Sequence, residues 1–142
     1  MGTLTKEIQD YIAWTKETFA SRNKVQAYLG MGEEKQADHM AFYNRVGQWV
    51  QCFLETDPED ASLLQALHIL LFAAAQEKGS QAEWYLIAIQ TFAQPMIERL
   101  GREEKKDLAQ EYARHYPRGK RLPVQNQIYR MLAEKRKKFL FF

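Results

Sequence analysis

The stretch ASLLQALHILLFAAA, Ala61 to Ala75, decides the fold. Only Ser62, Gln65 and His68 are polar in it, too few for a surface helix. Fifteen residues also fall short of the roughly 20 that an apolar helix needs to cross a bilayer. The run therefore predicts a buried helix at the centre of a helical protein. Its polar residues step by three, so they form one narrow ridge on an otherwise apolar rod.

Working outward, Asp57-Pro58 precedes the run. An Asp can cap free amides and a Pro suits the first helical position, so the pair predicts the helix start there. Upstream, Ala37, Met40, Ala41, Tyr43, Val46, Val50, Phe53 and Leu54 keep three- and four-residue spacing. Before them Leu4, Ile8, Tyr11, Ile12, Thr15 and Phe19 form another stripe, with Val25, Tyr28 and Leu29 as an extension and Gly30 and Gly32 as a stop.

Downstream, Glu77, Lys78 and Gly79 close the central helix, and a fourth runs from Ala82 to about Leu100. Pro95 must kink or restart this fourth helix, because it has no amide proton and clashes with the preceding turn. Gly101 reads as a residue just beyond its end. Arg102 to Tyr116 is a short amphipathic helix with Leu108, Tyr112 and Tyr116 on its apolar face. Pro117 to Pro123 is a loop, and a last helix carries Val124, Ile128, Met131 and Leu132 into Lys135-Arg136-Lys137-Lys138.

The expectation is an all-α, single compact bundle of about six helices, residues 1–142. Neighbouring helices are mostly antiparallel, and the third and fourth form the buried core. The basic segment 113–142 is either a distinct surface or a tail. No fixed repeat of 34 to 47 residues occurs, which argues against a solenoid.

Composition agrees with a globular class: of 142 residues, 46% are hydrophobic and 27% charged, with seven Gly and four Pro. Cys52 is the one cysteine, and Met1 to Asp10 has charges but no apolar leader core. Both point to a reducing, cytoplasmic setting without a transmembrane segment.

The net charge of +2 hides a division. Residues 1–101 hold 8 Lys/Arg against 13 Asp/Glu, a balance of −5, whereas residues 102–142 hold 12 against 5, a balance of +7. Arg114, Arg118, Lys120, Arg121, Arg130, Lys135, Arg136, Lys137 and Lys138 face Glu134 alone within 113–138. Such a cluster is a candidate surface for nucleic acid or another polyanion, with Tyr112, Tyr116 and Tyr129 available to stack on unpaired bases. The plainer reading is a solvated face, with Arg114 and His115 matched to a helix C-terminus. An acidic protein partner or an anionic membrane surface also fits charge alone. The seven-residue loop is too long for a helix-turn-helix, and strand-based RNA-binding signatures do not fit this pattern.

Phe139, Leu140, Phe141 and Phe142 are four consecutive apolar residues beside the basic run, a candidate partner-docking element. They are too short to anchor in a bilayer alone.

Residues with chemical potential are few. Asp38 and His39 are sequence neighbours, so on a helix their side chains diverge by roughly 100°. Glu111 and His115 are four apart and can meet on one helix face. Two such residues do not make the carboxylate–histidine set of a di-iron bundle. His68 stands out for its apolar surroundings, as a general base, a pH-sensitive group or a hydrogen-bonded residue at the bundle edge. Cys52 reads as packing, and Trp14, Trp49 and Trp84 as core. Phosphate-loop, dinucleotide, zinc-protease and serine-hydrolase motifs do not occur. No catalytic residue, metal ligand or cofactor is assigned, and a small-molecule substrate is not expected.

The leading expectation is a non-catalytic cytoplasmic interaction module, binding a protein partner or itself. The rival is a nucleic-acid-binding accessory subunit using the 114–138 surface. A small helical enzyme would need His68 or the Glu111/His115 pair beside a cleft.

Overall fold

Helices follow the apolar stripes closely. The computed structural model describes residues 3–19, 33–73, 75 and 83–133, and every regular element among them is helical. They are α1 (Leu4–Phe19), α2 (Glu33–Glu55), α3 (Asp60–Phe72), α4 (Glu83–Ala88), α5 (Gln94–Ile97), α6 (Arg102–His115) and α7 (Pro123–Ala133). A 3₁₀ stretch, Ile89–Ala93, joins α4 to α5, so 83–97 is one interrupted helical segment. The bundle is all-α, as the periodicity predicts. No helix among the described residues is long and apolar enough to cross a membrane.

The centre lies where the sequence places it. α3 buries Leu63, Ala66, Leu67, Leu70, Leu71 and Phe72. The 83–100 segment adds Leu86, Ile87, Ile89, Ala93, Met96, Ile97 and Leu100. Together they supply more of the buried apolar core than the other described elements combined. The 3₁₀ stretch is the hub, touching α2, α3, α4, α5 and α7. Its form follows from Pro95, which cannot donate to Thr91; the Gln94 N–H donates to the Thr91 carbonyl instead, an i to i+3 bond. Gly47 of α2 makes close approach to this hub workable, since a Cβ there would stand 2.9 Å from the Phe92 ring.

Two boundaries differ from expectation. Asp57 does not open α3. It has φ of +53°, a left-handed conformation that short polar side chains tolerate, and its N–H bonds to the Leu54 carbonyl at the end of α2. Arg99 donates to that same carbonyl at 2.9 Å, placing a cation at the negative end of the helix. α3 starts three residues later, with Glu59 as N-cap in an extended conformation. Gly101 is likewise an extended N-cap for α6. Pro123 does open its helix. The Leu122 N–H donates to Oε1 of Gln125 at 2.8 Å, half of a capping box.

α6 matches its dipole, with Glu103 and Glu104 in the first turn and Arg114 and His115 in the last. One side of it packs on α3 and another on α7. α1 packs on α2 and α3. α3 therefore has α1 and α6 for neighbours, with a groove between them.

Candidate binding cleft

That groove is a solvent-open cleft of about 470 Å³. Ile8 and Ile12 of α1 form one wall, with Thr5 and Gln9 beside them; Ile69 and Phe72 of α3 form the floor. Glu111 and His115 of α6 and His68 of α3 supply its polar end.

Those three side chains meet. Nε2 of His68 lies 3.3 Å from Oε1 of Glu111, and Nε2 of His115 lies 4.0 Å from Oε2 of the same carboxylate. Phe72 sits against both imidazoles, with ring centres 5.2 Å from His68 and 4.6 Å from His115. The i, i+4 spacing of Glu111 and His115 was legible, but the third member was not. The condition set for a catalytic reading, a titratable pair beside a cleft, is met in placement. Among the described residues no group of three or more His, Cys, Asp and Glu side chains is arranged to hold a metal ion. Glu111 stands between the imidazoles and engages each with a different oxygen.

The stripe next to Glu111 and His115 on α6 explains why they point into the cleft. Tyr112 and Tyr116 are buried. The Tyr112 hydroxyl donates to Oε1 of Gln90 at 2.6 Å, and Gln90 Nε2 donates to the Leu71 carbonyl at 3.0 Å. The Tyr116 hydroxyl donates to the same carbonyl at 3.1 Å. Leu71 lies in the last turn of α3, where carbonyls lack intrahelical partners, so the network satisfies a buried orphan. It also fixes the rotation of α6 against α3. Burial, assisted by Tyr116 and opposed by Arg121, pushes the Tyr112 phenol far above its ordinary range, so it remains a donor. Tyr112 and Tyr116 are thus core residues, as their place on the apolar face of 102–116 predicts, and not stacking platforms for bases.

The basic residues divide. Arg114, Arg118 and Lys120 are exposed at the α6 end and in the following loop. Arg121 is half-buried and works inside the fold: its Nε donates to the Tyr116 carbonyl at 2.6 Å, and its guanidinium lies 4.1 Å from the Tyr129 ring centre. Arg130 is exposed, with Nε 3.4 Å from the Asn126 carbonyl. Lys135, Arg136, Lys137, Lys138 and Phe139, Leu140, Phe141 and Phe142 lie outside the described residues, as do Glu77, Lys78 and Gly79.

The remaining candidates are apart from the cleft. His39 packs among Tyr11, Trp14 and Tyr43, and burial lowers its pKa from the ordinary 6.5. Cys52 is half-buried on α2. Trp14 and Trp49 pack against the core from half-buried positions.

Comparison with protein-family models, with curated proteins and with solved structures finds no match to this chain.

Proposed function

We propose that the protein is a non-catalytic cytoplasmic interaction module that captures a protein segment in the cleft between α1, α3 and α6. The observation that carries this reading is the combination of apolar walls at Ile8, Ile12, Ile69 and Phe72 with a polar end at Glu111. Binding clefts pair apolar contact area with a few fixed polar groups that set orientation. The paired Glu111 carboxylate and imidazoles supply fixed polar groups at one end of those walls. The test compares proteins retained by the wild-type chain with those retained by Ile69→Glu, each checked for helicity. Partners retained by the wild type and lost by the variant support the reading; identical sets overturn it.

A second reading is a nucleic-acid-binding accessory subunit. Residues 112–133 carry five Lys/Arg and no Asp/Glu, and Arg114, Arg118 and Lys120 are exposed together at one end of the bundle. Three phosphate contacts would give a slope of log K against log salt of about −3 on duplex DNA, or about −2 on single strands. Fluorescence polarisation with labelled oligonucleotides measures it. Binding at 50 mM salt that survives Arg118→Ala with Lys120→Ala would exclude this loop.

A further inference from the structure

We propose that the cleft receives the segment Lys135–Phe142 of a second copy of this chain, an inference that rests on the cleft being a protein-docking site. The segment reads KRKKFLFF, four cations followed by four apolar residues. The cleft offers the complement in the same order. Its walls are aliphatic and aromatic, and the α6 edge that leads into it is acidic. Asp107 lies one turn before Glu111 on that edge, exposed, and Glu104 lies a turn further back. Residues spaced by three and four share a helix face, so Glu104, Asp107 and Glu111 form one negative stripe ending at the apolar pocket. Apolar side chains at Phe139–Phe142 fill the pocket while the basic run lies along the stripe.

The source follows from where the elements pack. α7, which precedes the segment, rests on α4, α5, α6 and the 3₁₀ stretch, whereas the cleft opens between α1, α3 and α6. α7 and the cleft thus lie against different sides of α6, which favours delivery of the segment by a second molecule. The charge pairing is local, four cations of the segment against Glu104, Asp107 and Glu111, and opposite charges of this kind steer association. Reciprocal exchange closes a two-fold dimer.

Sedimentation velocity on the full chain over micromolar concentrations tests this. The wild type is expected to show a monomer–dimer equilibrium. Glu111→Lys, Ile69→Glu and the pair Phe139→Asp with Phe141→Asp should each weaken it at least tenfold. Helicity and urea midpoint of each variant, measured alongside, guard against loss of fold as the explanation. Mixing Glu111→Lys with the Phe139→Asp/Phe141→Asp chain should restore a heterodimer, since one supplies the segment and the other the cleft. A wild type that stays monomeric overturns the proposal, including the case in which Phe141→Trp fluorescence responds to Ile69→Glu within the monomer. Self-association untouched by these substitutions overturns it too. In both cases the broader docking reading stands or falls separately, on whether Ile69→Glu changes the set of other proteins retained.

Discussion

Replacing Tyr112 with Phe removes one oxygen from the most buried polar contact between α6 and the hub. Gln90 is fully buried, and its Oε1 accepts from Tyr112 at 2.6 Å. Without the hydroxyl, that amide oxygen has lost its partner in a region closed to water. An unsatisfied buried acceptor costs about 1–3 kcal/mol, more than the net worth of the bond itself. We expect about 2 kcal/mol for Tyr112→Phe. Gln90→Leu should cost a similar amount, since it strands the Tyr112 hydroxyl; the Leu71 carbonyl keeps its bond from Tyr116. The double variant removes both partners, so its cost should stay near 2 kcal/mol instead of the roughly 4 kcal/mol that addition would give. Urea unfolding measures all four chains. With a slope of about 2 kcal/mol per molar, each single substitution lowers the midpoint by about 1 M. Unchanged slopes show that compactness is preserved. Additivity within about 0.5 kcal/mol would refute the argument, because residues sharing one bond must couple.

His39 gives a pH prediction of definite sign. Burial lowers its folded pKa from 6.5, so below pH 6.5 the unfolded chain holds a proton that the folded chain resists. Its contribution is complete above that value and is lost as the pH falls, and His39→Phe should flatten the drop in urea midpoint between pH 6.5 and 5. An unaltered pH profile would exclude His39 as the cause. Arg121→Ala should lower stability by about 1–2 kcal/mol through the lost bond to the Tyr116 carbonyl and the lost contact with Tyr129. Arg118→Ala with Lys120→Ala should leave the melting temperature unchanged, because both side chains are exposed. Equal melting shifts from the two sets would contradict the division between structural and free cations.

The helices were legible because the signals that set them are local. The apolar density of 61–75 requires burial, and Pro95 and Pro123 act through their own missing amides. Asp57-Pro58 misled for an equally local reason. An Asp beside a Pro has two uses, capping the next helix or turning the chain out of the last one. Only Arg99, reaching Leu54 from a distant part of the sequence, helps show that the end of α2 is what is being satisfied. The cleft was half legible. Glu111 and His115 share a face by spacing alone, but His68 joins them only because α3 and α6 pack side by side. The tyrosines show the same limit: an amphipathic Tyr at an apolar position suits a core bond or an exposed stack equally well. Gln90, held in a 3₁₀ turn that Pro95 imposes, decides between them.

One helix thus couples the core to the cleft. On α6, Leu108, Tyr112 and Tyr116 face inward, and Asp107, Glu111 and His115 form the neighbouring stripe about 100° away. Rotating α6 by one residue would break both tyrosine bonds and carry Glu111 off His68, so the α3–α6 side of the cleft is rigid. The α1 side is held differently. It has apolar packing through Leu4, Ile8 and Tyr11, and one polar tie to α2 is the Arg45–Glu7 pair at 2.9 Å. Such pairs contribute roughly 0–1 kcal/mol. A guest that needs more room is therefore accommodated by α1, and native-state hydrogen exchange should show α1 amides opening at lower free energy than those of α6 around Tyr112. Equal protection of the two helices would mean that the cleft is closed to adjustment from either side.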